Sequence, residues 1–173
     1  MKFKLDKEDL KEVKDIQDRV ETNSKQIENI INEIITSYCK GLDDYVAFIK
    51  DVLSDGEKQP TDAELEDFCM NLGTHIYFAG SMVEQLGIKD DISKAVYKEM
   101  YHSSRASLDK GTVADKDSLA ELESQKEYLV NVCYNRAFRI MKSKVENAQE
   151  ILSSCKKVLT RRIGEMSLSN MIN

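Results

Sequence analysis

SLAELESQKEYLVNVCYNRAFRIMKSKVENAQEILSSCKKVLTRRI, from Ser118 to Ile163, decides how the whole chain is read. Leu122, Leu129, Cys133, Ala137, Ile140, Met141, Ala148, Ile151, Leu152, Cys155, Leu159 and Ile163 recur mostly at helical steps. That spacing lines them along one side of a helix, so the stretch predicts a single helix of about 45 residues. A helix longer than about 25 residues exceeds what a compact domain needs and points to coiled-coil packing or assembly.

The same period runs through the first segment, from about Glu8 to Cys39. There Leu10, Val13, Val20, Ile27, Ile30, Ile31, Ile34 and Ile35 form the stripe, with a bend expected at Asn23 and Ser24. Gly41 is a plausible break or tight contact, after which Leu42, Val46, Ile49 and Leu53 resume a face. DGEKQP, Asp55 to Pro60, holds the only proline and predicts a turn. Thr61 followed by Glu64 is a capping box, because each side chain can satisfy a backbone donor at a helix start. The helix it opens is expected to reach Gly87. Gly73 and Gly80, seven apart on one face, predict close approach of another helix, since each costs about 1 kcal/mol relative to alanine. A GIKDD turn, a helix from Asp91 to Leu108 and a loop over DKGTVADKDS complete the chain. The expected fold is all-α: an antiparallel, coiled-coil-like bundle of four to five long helices, oligomeric. An acidic N-terminal helical region (1–90) precedes a helical hairpin with a long C-terminal helix (91–173).

Composition agrees with this reading. One proline, seven glycines and no tryptophan in 173 residues argue against a loop-rich or all-β design. MKFKLDKEDLKE has no apolar h-region, so no signal peptide is expected. No window approaches eighteen apolar residues, so no membrane span is expected either. Cys39, Cys69, Cys133 and Cys155 form no CxxC pair and lie among apolar helical neighbours. They read as buried reduced thiols, and a cytoplasmic setting follows.

Charge is unevenly divided. The net charge is −6, yet from Gln125 onward nine basic residues face four acidic ones. Tyr128 to Val145 carries Arg136, Arg139, Lys142 and Lys144 without one Asp or Glu. Such asymmetry suggests a polyanion partner or an acid-to-base self-contact, against the plainer reading of solvated helix faces.

Catalytic and metal chemistry find no support. DVLSDGEKQPTD has an EF-hand outline, but Leu53 at the third position offers no oxygen and the terminal Glu is missing. His75 and His102 lack a ligand partner one helical turn on. No nucleophile elbow, P-loop or dinucleotide fingerprint is present. Neither an enzyme, a cofactor nor a metal is expected. The acidic run from Asp43 to Asp67 reads as a solvated face with acids at a helix start, or as a docking face for a basic partner through Asp43, Asp44, Asp51 and Asp55. On the basic side, Lys94, Lys98 and Arg105 step along one helix, interleaved with Tyr97, Tyr101 and His102. Lys110 follows in the loop. Cations that track phosphates, with rings on which bases stack, are the two ingredients of single-strand binding.

Ile92 to Leu159 strings together a basic, tyrosine-bearing helix, a K-G-T loop and a long helix with a central Arg/Lys cluster. That order resembles UvsY-type recombination mediators of tailed bacteriophages. The resemblance implies a ring-like oligomer that binds single-stranded DNA and helps to load a recombinase. It places the DNA-binding positions on Lys94, Lys98, Arg105, Lys110, Arg136, Arg139, Lys142 and Lys144, with Tyr97 and Tyr101 for stacking. Residues 1–90 have no counterpart in it. The competing expectation is a helical adaptor or phage-encoded inhibitor that uses its acidic face to dock or block a host protein. A helical scaffold or virion component is the third.

Overall fold

The computed structural model describes residues 7–54, 59–108 and 110–172, and side chains from 10 to 167 within them. Four helices follow one another: α1 (Lys7–Ser54), α2 (Asp62–Ser107), α3 (Val113–Glu123) and α4 (Gln125–Ile172). No strand occurs among the described residues. None of the helices is long and apolar enough to cross a membrane.

Helix starts are set as local chemistry dictates. The Thr61 hydroxyl accepts from the Glu64 backbone N–H at 3.2 Å, and the Glu64 carboxylate accepts from the Thr61 N–H at 2.7 Å. The capping box expected there is thus in place. A second one, not foreseen, opens α3 with Thr112 and Asp115. Hydrogen bonds from the Thr112 side chain and backbone hold the Asp115 carboxyl below its usual value. Gly111, just before it, has φ 116°, a left-handed value that glycine adopts without a side-chain penalty.

Three expectations about helix ends are corrected. Gly41 breaks nothing, because α1 runs unbroken to Ser54. Likewise the GIKDD turn does not form: α2 continues through Gly87 and through position 90, so the acidic and basic parts of the chain share one helix. The long last helix is divided instead, at Ser124, whose hydroxyl donates to the Ala120 carbonyl at 2.7 Å. Glycine roles shift as well. A Cβ at Gly73 or Gly80 would meet nothing within 4 Å, whereas one at Gly87 would lie 3.2 Å from the Phe138 ring. One at Gly41 would lie 3.5 Å from the His75 ring. The tight approach is therefore at Gly87, while the contact at Gly41 is an ordinary one.

Contacts fix the directions. Phe48 meets Phe68 while Tyr38 meets Lys89, so α1 and α2 are antiparallel. Arg162 bonds to Asp62 and Tyr128 packs on Tyr97, so α2 and α4 are antiparallel too. Burial then separates two halves. In one, Ile31, Ile35, Cys39, Leu42 and Ile49 of α1 interlock with Leu65, Phe68, Leu72, Ala79 and Leu86 of α2. Cys133, Ala137, Met141, Ala148 and Cys155 of α4 close this three-helix core. A fully buried leucine such as Leu72 contributes about 2 kcal/mol by leaving water. In the other half, beyond Asp90 on α2, the buried residues described are Ser93, Ser104, Ala120 and Ser124. Small side chains let α2, α3 and α4 approach closely there, but they supply little apolar burial.

All four cysteines are free thiols; Cys39, Cys133 and Cys155 are buried and Cys69 is partly so. Burial pushes the three buried thiols up, and for Cys39 the charge of Asp43 adds to it.

Candidate nucleic-acid interface

Lys94 on α2 and Arg136 and Arg139 on α4 line one groove of about 440 Å³. Helix geometry brings them together. Antiparallel packing sets Asp90 and Lys94 beside the Asn131–Arg136 turns, and a three-residue step keeps Arg136 and Arg139 on neighbouring tracks. None of the three cations has an ion pair among the described residues. Lys98 lies one turn from Lys94, and Lys142 three residues beyond Arg139, both exposed and without an ion pair. Together they make a strip along the α2–α4 seam, about 20 Å long at 1.5 Å per residue.

The groove is not purely basic. Asp90 and Asp91 line it also. Asp90 is engaged, accepting from the Asn135 amide at 3.0 Å and from Asn131 at 3.4 Å. Asn131 donates to the Ser93 hydroxyl at 3.0 Å as well. Tyr128, a lining residue that the sequence reading passed over, packs 5.4 Å from Tyr97, which lies 6.4 Å from Tyr101. Tyr128 is exposed, so its ring is the most accessible of the three. Its place as the first residue of the acid-free stretch was the available signal.

Two expected cations are already matched. Lys144 reaches both carboxylate oxygens of Asp43 at 2.6 Å, tying α4 to α1. Arg105 pairs with Asp117 of α3, and the Tyr101 hydroxyl donates to the same carboxylate at 3.2 Å. Burial first, then that hydrogen bond, raises the Tyr101 hydroxyl above its ordinary pKa. Arg105 and Tyr101 therefore dock α3 onto α2. Lys110 is exposed in the loop before α3. Of the acidic docking set, Asp43 is taken by Lys144, Asp44 and Asp51 are exposed on α1, and Asp55 lies outside the described residues.

Sequence reasoning also missed a clamp at the opposite end of the seam. The Arg162 guanidinium donates to the Pro60 carbonyl at 2.6 Å, to Asp62 at 3.0 Å and to Gln59 at 3.3 Å. It fixes the start of α2 against α4 and carries no sign of a ligand site. No cluster of His, Cys, Asp and Glu that could hold a metal is found among the described residues.

What the arrangement offers is a shallow groove with three unmatched cations, two carboxylates and an exposed ring. No family model matches the chain, and neither a curated protein nor a solved structure matches it.

Proposed function

We propose that this chain is a non-enzymatic helical protein that holds single-stranded DNA along the α2–α4 strip. As its resemblance to phage recombination mediators implies, it would help to load a recombinase on that strand. One observation carries the reading: Lys94 on α2 and Arg136 and Arg139 on α4, brought together by the fold, line one groove without an ion pair among the described residues. Lys98 and Lys142 extend the line, and Tyr128 offers a ring for a base. A stacked base contributes about 1–3 kcal/mol whatever its identity, so weak sequence preference follows.

Sparse charge sets the affinity. One protomer would neutralise about two or three phosphates, giving a slope near −2 in log affinity against log salt for a single strand. An assembly in which several strips share one strand would steepen that slope in proportion. Because Lys144 and Arg105 are matched internally, they contribute to structure and not to this slope.

The test is fluorescence anisotropy of a labelled oligothymidylate across a salt series. Replacing Arg136, Arg139 and Lys142 together with alanine abolishes binding, whereas Lys144→Ala leaves the salt slope unchanged. A wild-type protein indifferent to the oligonucleotide at about 50 mM salt, where phosphate contacts are strong, refutes the proposal. The adaptor reading rests on a different surface. Asp44, Asp51, Glu66 and Asp67 are exposed without ion pairs among the described residues. It predicts a protein that ignores DNA and loses its partner when those acids are neutralised.

A further inference from the structure

The seat that α1 occupies on α2 and α4 does not end where α1 leaves it. Past Lys89 and Tyr134 it runs on as an apolar groove of about 360 Å³, walled by Ile92, Val96 and Val130 and rimmed by Lys126. Ile92 is 58% and Val96 48% exposed. This is not the basic groove. On α2, Lys94 is two residues from both Ile92 and Val96, hence about 200° round the helix.

The matching helix face also exists, and N-terminal to Ile27 it is bare. α1 is one continuous helix, and the stripe it buries at Ile31, Ile35, Leu42 and Ile49 extends to Val13, Ile16, Val20 and Ile27 on the same side. Within that extension Ile16 is 57% and Val20 62% exposed. A groove built for α1 thus stands open, and a length of α1 built for a groove stands uncovered.

We propose that the two meet between chains: the α1 arm of one copy lies in the Ile92–Val96–Val130 groove of a second copy, and the exchange is reciprocal. Three observations favour a second copy. First, both surfaces are continuations of one established interface, so their chemistry is already matched. Second, α1 is an unbroken rod anchored by its core half, so its own arm cannot enter the groove without bending. Third, charges complement. Glu127, at the groove wall, has a buried carboxylate oxygen with no hydrogen-bond partner, and Lys14 on the arm is exposed without an ion pair among the described residues. A buried orphan oxygen is costly, and an incoming ammonium would satisfy it. The inference is independent of whether the basic strip binds DNA.

The experiment is light-scattering mass of the full chain and of two double variants. Wild type is expected at twice the 19.8 kDa of one chain. Ile16→Asp with Val20→Asp (arm) and Ile92→Asp with Val96→Asp (groove) each give a monomer, with helical circular dichroism unchanged because all four residues are exposed. Mixing the two variants restores dimer, since the groove variant's intact arm fits the arm variant's intact groove. A monomeric wild type overturns the proposal, as when each arm seats in its own chain. So does a dimer that survives either double variant, or one lost with the arm variant alone, which would mean that arms pair with each other.

Discussion

The two halves of the α2–α4 seam are built from the same helices but held by different forces. From Leu65 to Leu86 the seam is covered by α1, and Leu72, Leu86 and Met141 are completely buried. Beyond Asp90 it buries serine and alanine, and its ties are polar: Asp90 to the two asparagines, Asp117 to Arg105 and Tyr101. A hydrogen bond contributes about 1 kcal/mol net, while a large buried side chain contributes two or three times that. The lesson is that helix continuity hides a change of cohesion. α2 crosses from a cored region to a nearly coreless one without a break in its backbone.

That contrast can be attacked directly. The largest effect is expected from Leu72→Ala, which opens a cavity in the cored half and costs about 3 kcal/mol in urea unfolding. Ile92→Ala, an equivalent deletion at the exposed groove of the other half, shifts the midpoint of a monomeric background by less than about 0.5 kcal/mol. Equal costs would erase the distinction. Next, Asp117→Ala removes the shared acceptor of Arg105 and Tyr101. Amide exchange should then quicken through α3 while protection across Leu65–Leu86 is unchanged. An unchanged α3, or faster exchange that reached the cored half, would contradict it. At the start of α2, Thr61→Ala deletes one cap and is expected to cost about 1 kcal/mol by the same urea measurement, between the two core and groove deletions.

Much of this architecture was legible in the sequence. The apolar stripes of the first and last segments placed α1 and α4, and Thr61 with Glu64 marked where α2 begins. Glycine was where local reading failed. In a single sequence Gly87 before Ile-Lys-Asp-Asp resembles punctuation, yet Phe138 covers it and Asn131 and Asn135 hold Asp90. Tertiary partners override the local preference. Gly73 and Gly80 show the reverse, a spacing that suggests contact where no described residue comes within 4 Å of an added Cβ. The cap at Thr112 went unread because its partner is the shorter Asp115 and not Glu. Site residues divided on similar lines. Cation positions on a helix face can be seen in a sequence, but their neutralisation cannot. Lys144 and Asp43 are separated by 101 residues, and nothing local announces that they meet.

That pair has a further mechanical meaning. The isoleucine-rich face of α1 nearly repeats itself every two turns, so sliding the helix by seven residues, about 10 Å, would set aliphatic groups against aliphatic groups again. A point charge allows no such slip. Asp43 against Lys144, with the His75 ring packed at Gly41, gives the rod one permitted register. Any axial tug on the rod would load that ionic contact in shear, together with the Phe48–Phe68 and Tyr38–Lys89 contacts.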